Sequence, residues 1–232
     1  MYYTYLMTNN CGKIFYMPSD QFTNNDLQNI SNNAIKLSDG AIDLWQKKAY
    51  LIACFLSITA LEEVGKLLFI ILAKNITKAE ICRVLTKHPE KQLIAVFGLL
   101  NVNDHATRYL GHNMINELME MVRSKKLFKI RNNCLYCLVN ENRIFATKDL
   151  VNKRTAKNII CACLEAIAEG GDLAYGGTKK GTKIWQKLLL RSEKFIKSIY
   201  KNRPLPLRKK DNNEQRNKFK QFIELLNGRS NL

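Results

Sequence analysis

The stretch Leu51-Ile-Ala-Cys-Phe-Leu-Ser-Ile-Thr-Ala-Leu61, Glu62-Glu63-Val64-Gly65-Lys66, Leu67-Leu-Phe-Ile-Ile-Leu-Ala73 sets a charged cluster inside an apolar run. A helix that is apolar on nearly all sides is normally buried. Two carboxylates and an ammonium at its midpoint would be costly there unless they are paired or line a site. A membrane-spanning helix needs about 20 uninterrupted apolar residues, and neither half of this run reaches that length. The run is therefore expected to be a core helix with an internal polar patch, and no membrane span is expected.

Working outward, the periodicity predicts an all-α protein. Residues 1–22 are aromatic and turn-rich, with Asn9-Asn10-Cys11-Gly12 between Tyr, Ile and Phe segments, and form an N-terminal extension. A first helix is expected from Thr23, with caps among Asn24, Asn25 and Asp26. Its Leu27, Ile30, Ala34, Leu37, Ala41 and Leu44 recur at helical spacing. The charged cluster lies on a second helix, from about Ala49 to Lys74. Thr77 and Glu80 have the capping-box spacing for a short third helix ending near Lys87. Pro89 opens a fourth, since proline suits a first helical turn and disfavours helical backbone at the preceding residue. One further helix is expected from about Thr107 to Leu127. Cys134–Val139 and Arg143–Ala146, around Asn140-Glu141-Asn142, read as a short β-hairpin. Thr147 to about Tyr175 is helical again.

Beyond Gly176-Gly177, Lys183–Asn202 is an amphipathic helix with Ile184, Leu188, Phe195 and Ile199 on one side. Lys183, Lys187, Arg191, Lys194 and Lys201 are spaced for another side. Pro204 and Pro206 end it, and a last basic helix covers 212–227. The expected organisation is an extension (1–22), a helical bundle (23–176) and a basic helical tail (177–232).

The chain carries 37 Lys and Arg against 20 Asp and Glu, a net charge of +17. Residues 177–232 hold +12 of this, and the other 176 residues hold +5. Such a bias fits an anionic partner, RNA, DNA or a membrane surface, or else a solvated surface that keeps the protein soluble. No signal peptide is readable at the start, and the seven cysteines are odd in number and set among apolar residues. Both features fit a reducing cytoplasm.

Glu62 and Lys66 are four apart and Glu63 and Lys66 three apart, so on a helix either pair can meet. The apolar flanks favour a packed network over an exposed pair. His88-Pro89-Glu90-Lys91 opens the next helix, with Arg83 five residues before the histidine. Arginine and histidine together suffice for metal-independent RNA cleavage. Imidazole moves protons near neutrality, and guanidinium stabilises charge on the phosphorane. A structural helix-entry histidine is the plainer alternative. Arg131-Asn132-Asn133-Cys134-Leu135-Tyr136 places an Arg-Asn pair before a tyrosine, which can donate a hydrogen bond to phosphate or simply cap a sheet. No metal and no cofactor are expected. Cys134-x2-Cys137 has no matching second pair, His105 and His112 are seven apart without an acidic ligand pattern nearby, and no phosphate-binding glycine loop is present.

Asn33–Leu37, Ala60–Lys66, His88–Lys91 and Arg131–Tyr136 together resemble the AbiV-type abortive-infection proteins of the HEPN superfamily, over about residues 27–175. The resemblance implies a HEPN-like helical bundle and an anti-phage protein that arrests growth or protein synthesis. Many HEPN relatives are metal-independent ribonucleases that act as dimers, with the Arg and His of an Arg-x4–6-His motif meeting across the interface. Here Arg131 is followed by Tyr136 where that motif has histidine, whereas Arg83 and His88 carry both residues at another place. The expected catalytic set is His88, Arg131, Asn132, Tyr136 and Arg83. Glu62, Glu63, Lys66 and Lys91 support it, and Lys183, Lys187, Arg191 and Lys194 hold RNA. Expected partners are RNA or the ribosome, a phage protein as trigger, and a second copy of the chain. The alternative is a non-catalytic module that binds RNA, the ribosome or a phage protein and blocks translation. A third reading, a membrane-surface protein, rests on the basic amphipathic helix alone.

Overall fold

A computed structural model describes residues 22–72, 78–102, 112–135, 138–140, 143–145, 151–175 and 179–199. Residues 1–21 of the expected N-terminal extension and the whole final basic helix lie outside these residues. Among the described residues there are eight helices. They are α1 (Asn24–Gln46), α2 (Tyr50–Leu72), α3 (Lys78–Leu85), α4 (His88–Val102), α5 (His112–Arg123), α6 (Lys126–Asn133), α7 (Lys153–Tyr175) and α8 (Lys179–Ile199). Between α6 and α7, β1 (Leu138–Asn140) and β2 (Arg143–Phe145) pair antiparallel, with Val139 opposite Ile144. The turn expected between them lies outside the described residues.

α2 is the hub, packing against α1, α4 and α7. Its apolar residues face neighbours on nearly every side, so Ile58, Leu61, Val64, Leu67 and Leu68 are wholly buried. α1 ends in a tight reversal. Lys48 takes a left-handed backbone (φ 65°), and the Ala49 N–H donates to the Leu44 carbonyl at 2.9 Å. This closes the last turn of α1 and sends α2 back antiparallel. The cap that starts α1 is Thr23 rather than one of the asparagines. Its hydroxyl accepts from the Asp26 N–H, and the Asp26 carboxylate accepts from the Thr23 N–H. The two ends thereby satisfy each other's orphan donors.

The fourth helix begins at His88, one residue before the proline. Pro89 still lies in the first turn, where a missing N–H leaves no intrahelical bond unmade. The single helix expected over 107–127 is corrected to a break. α5 stops at Arg123, Lys125 adopts a left-handed backbone (φ 58°), and α6 starts at Lys126. The Ser124 hydroxyl donates to the Glu120 carbonyl at 2.7 Å, and the Lys125 N–H to Val122 at 3.0 Å. These bonds close α5 at a position without glycine or proline to signal it. The restart makes Arg131 and Asn132 helical residues.

α8 packs onto α7 and α1 through buried Leu188, Ser192, Phe195 and Ile196. Trp45 meets Tyr50 at a tilt (centroids 4.5 Å, 57° between planes) and Phe195 edge-on at 6.2 Å. Arg191 lies 2.5 Å from both Asp39 and Asp43 of α1. Residues 188–196 of the basic segment are thus docked on the bundle. Among the described residues, no helix is long and apolar enough to cross a membrane.

Candidate functional site

The site forms where α2, α4 and α6 meet. Gly65 makes this possible. A Cβ built there would collide with the Lys91 carbonyl oxygen and lie 2.8 Å from its carbon. The two backbones therefore touch, which only glycine permits at this spot. Glu62 precedes Gly65 by three residues, so it shares that side of α2 and points at the opening of α4.

The Glu62 side chain is only 2% exposed, yet both its oxygens are engaged. Oε2 lies 2.6 Å from His88 Nδ1, and Oε1 accepts from Gln92 Nε2 at 2.7 Å. Arg131 Nε stands 3.2 Å from Oε1. That is an ion pair by distance, but its N–H has no aligned acceptor. The contact is Coulombic rather than a hydrogen bond. His88 and Gln92 are four apart and so lie on one face of α4. With Glu62 ionised and the ring neutral, Nδ1 carries the proton and Nε2 keeps its lone pair. The His88 ring stacks on Phe128 (centroids 5.8 Å, 19° between planes), and its side chain stays 37% exposed. One edge of the imidazole is therefore anchored while the ring remains open to solvent.

Arg131 is fixed from three directions. Besides Glu62, its Nη1 donates to Asn132 Oδ1 at 3.3 Å, and its Cζ sits 5.1 Å from the Phe55 centroid. Phe55 and Glu62 are seven apart, two turns on one side of α2, and helix side chains lean toward the N-terminus. Both can consequently reach one guanidinium. Lys66 turns the other way and pairs with Glu63 at 2.5 Å, not with Glu62. Lys91 is 4% exposed in the same region. Burial lowers its pKa below the ordinary 10.5; Glu62 opposes this, Lys66 adds to it, Glu63 opposes it and Arg131 adds to it.

Behind the polar cluster lie thiols. The Cys134 thiol hydrogen-bonds that of Cys54, which pushes Cys54 up, with burial adding, and draws Cys134 down against its own burial. Burial raises Cys163, and the charge of Glu62 adds to this. Cys54 and Cys163 are thus core thiols held protonated. No group of three or more His, Cys, Asp or Glu that could hold a metal occurs among the described residues.

The structure brings Glu62, His88, Lys91, Arg131 and Asn132 into one region. Arg83 is exposed on α3, with no described bond to that region, and Tyr136 lies outside the described residues. Lys187 and Lys194 are exposed on α8, Arg191 is occupied by Asp39 and Asp43, and the Lys183 side chain is outside the described set. Sequence reasoning missed Gln92, Phe55 and Phe128. Spacing could have found Gln92, four residues after His88. The two phenylalanines look like ordinary core residues until α6 is placed.

Residues 26–167, more than half of the chain, match the family model of the AbiV-type HEPN domain, described as AbiV. The chain belongs to the AbiV family of HEPN proteins. The AbiV domain runs from α1 into α7 and contains Glu62, His88, Gln92 and Arg131. An AbiV-type HEPN domain implies an abortive-infection role against phage. No curated protein and no solved structure matches this chain.

Proposed function

We propose that this AbiV protein acts in abortive infection by cleaving RNA at the α2–α4–α6 junction. The carrying observation is Glu62 Oε2 at 2.6 Å from His88 Nδ1, with Arg131 beside the same carboxylate. A carboxylate that holds one imidazole nitrogen fixes ring orientation and tautomer, leaving the other nitrogen to move a proton. His88 Nε2 takes the proton of a ribose 2′-hydroxyl, and that oxygen attacks the adjacent phosphorus. The bond to the 5′-oxygen breaks, giving a 2′,3′-cyclic phosphate. The departing oxygen takes a proton from water, and His88 returns its own to solvent. Arg131 and Lys91 supply positive charge near the phosphorane, where preorganised charge is most effective. Exposed Lys187 and Lys194 of α8 help hold the polyanion. As in related HEPN proteins, two copies of the chain would form the working unit.

Purified protein incubated with cellular RNA in EDTA tests this reading. The expected result is fragments ending in 2′,3′-cyclic phosphate, lost in His88→Ala and Arg131→Ala. Equal cleavage by wild type and variants, or none, refutes it.

One observation favours a second reading, a non-catalytic module that arrests translation by binding. Arg131 is 16% exposed and already held by Glu62, Asn132 and Phe55, as a structural arginine would be. On that reading His88→Ala still arrests growth, and removal of residues 177–232 abolishes the arrest.

A further inference from the structure

Four basic residues crowd the corner between α5 and α6: Arg123, Lys125, Lys126 and Lys129. All are exposed. None forms an ion pair with a described residue. On α8, Arg191 is held by Asp39 and Asp43 and Lys197 pairs with Glu193, while Lys187 and Lys194 are exposed. Glu117 and Glu120 of α5 are the exposed acids nearest in sequence, and neither is bound to these cations.

Helical spacing gives the corner a direction. The Lys129 N–H donates to the Lys125 carbonyl at 3.1 Å, so the left-handed Lys125 is continuous with the first turn of α6. Lys129 and Asn132 are three apart on one row of α6, and the capping Lys125 stands one turn before Lys129. Phe128 is three residues from Lys125 and four from Asn132, hence in the adjoining row, and it stacks on His88. Arg131, three beyond Phe128, reaches Glu62. Leu127, Ile130 and Cys134 fill the opposite, buried side. The eight-residue α6 and the Lys125 that caps it thus set Lys125, Lys126 and Lys129, which have no ion partner among the described residues, directly beside the face that builds the site. Lysines four apart on a helix repel each other, and no carboxylate among the described residues relieves them.

We infer that Lys125 and Lys129, flanked by Arg123 and Lys126, form a backbone-binding ridge for single-stranded RNA that leads into the His88–Arg131 site. The inference rests on the RNA reading of that site but assigns it a new surface, apart from α8. Lysine ammoniums suit phosphates without reading sequence. The exposed half of the His88–Phe128 stack borders the ridge where a base could lie against a ring.

The test is the salt dependence of binding of a fluorescein-labelled oligouridylate. The full-length protein is used in a His88→Ala background, so that cleavage does not interfere. Each phosphate neutralised on a single strand contributes about 0.7 to the log–log slope. Lys125→Gln with Lys129→Gln should lower that slope by about 1.4. A fourfold step in salt then weakens the parent about sevenfold more than the double variant. Both lysines are exposed, so the unfolding midpoint should stay put and exclude misfolding. An unchanged slope overturns the ridge, even where the protein with His88 intact cleaves RNA. A normal slope change in a protein that never cleaves sinks the nuclease reading and leaves the ridge standing. Absence of RNA binding, or equal displacement of the RNA by polyglutamate or anionic vesicles, also overturns it, since the partner is then another polyanion.

Discussion

Gly65→Ala should be the most revealing small change in the protein. The added methyl falls on the Lys91 carbonyl of α4, and backbone cannot rotate aside as a side chain can. α2 and α4 must separate instead. Overpacking costs about 1–3 kcal/mol, and a backbone clash belongs at the upper end. Replacing helical glycine by alanine returns about 1 kcal/mol, leaving a net loss of about 1–2 kcal/mol. With a urea m-value of about 3 kcal/mol per molar, the midpoint should drop by roughly 0.3–0.7 M. The separation also pulls His88 and Gln92 from Glu62, so activity should fall along with stability. Gly40→Ala is the control, because a Cβ there meets only the Leu56 side-chain tip at 3.2 Å. It should be neutral or stabilising by up to about 1 kcal/mol. A Gly65→Ala midpoint at or above wild type, or a loss no greater than that of Gly40→Ala, would refute the close-approach reasoning.

Glu62→Ala leaves Arg131 and Lys91 without their carboxylate; removing one partner of a buried pair costs about 3–5 kcal/mol, and a loss under 1 kcal/mol in urea denaturation would contradict this account. Lys91→Met should stabilise the fold and flatten its alkaline pH profile. With Lys91 lowered in the folded state, the unfolded chain binds more protons between that lowered pKa and about 10.5, so wild-type stability rises with pH across the window. A variant that keeps this rise would show that Lys91 does not titrate as its burial requires. Arg191→Ala should cost no more than about 1 kcal/mol, less in high salt, because the pair is over a third exposed; a salt-independent loss above 2 kcal/mol would mean a stronger dock.

Residues with strong periodicity revealed their helices from sequence, whereas the cap of α1 fell one residue before the expected ones. The run around Glu62 announced a buried helix because its apolar residues leave no solvent face. Gly65, by contrast, read only as a small residue, since its purpose depends on where the Lys91 backbone passes. The separation of Glu62 from Lys66 was equally hidden. Helical spacing allows both Glu62–Lys66 and Glu63–Lys66, and the choice is made by α4 and α6 offering Glu62 stronger partners. The α5–α6 break escaped notice because a left-handed lysine leaves no compositional mark. That break, in turn, is what turns Arg131 and Phe128 toward α2 and α4.

The central claim is that Glu62 acts through His88. A double-mutant cycle on RNA cleavage, with Glu62→Gln, His88→Ala and the combination, tests it most directly. Glu62→Gln keeps the side chain's shape but offers an amide where the carboxylate held Nδ1–H. The account predicts a rate loss of about 10²–10⁴-fold and no further loss when His88→Ala is added. Losses that multiply, or a Glu62→Gln protein that cleaves at the wild-type rate, would contradict it.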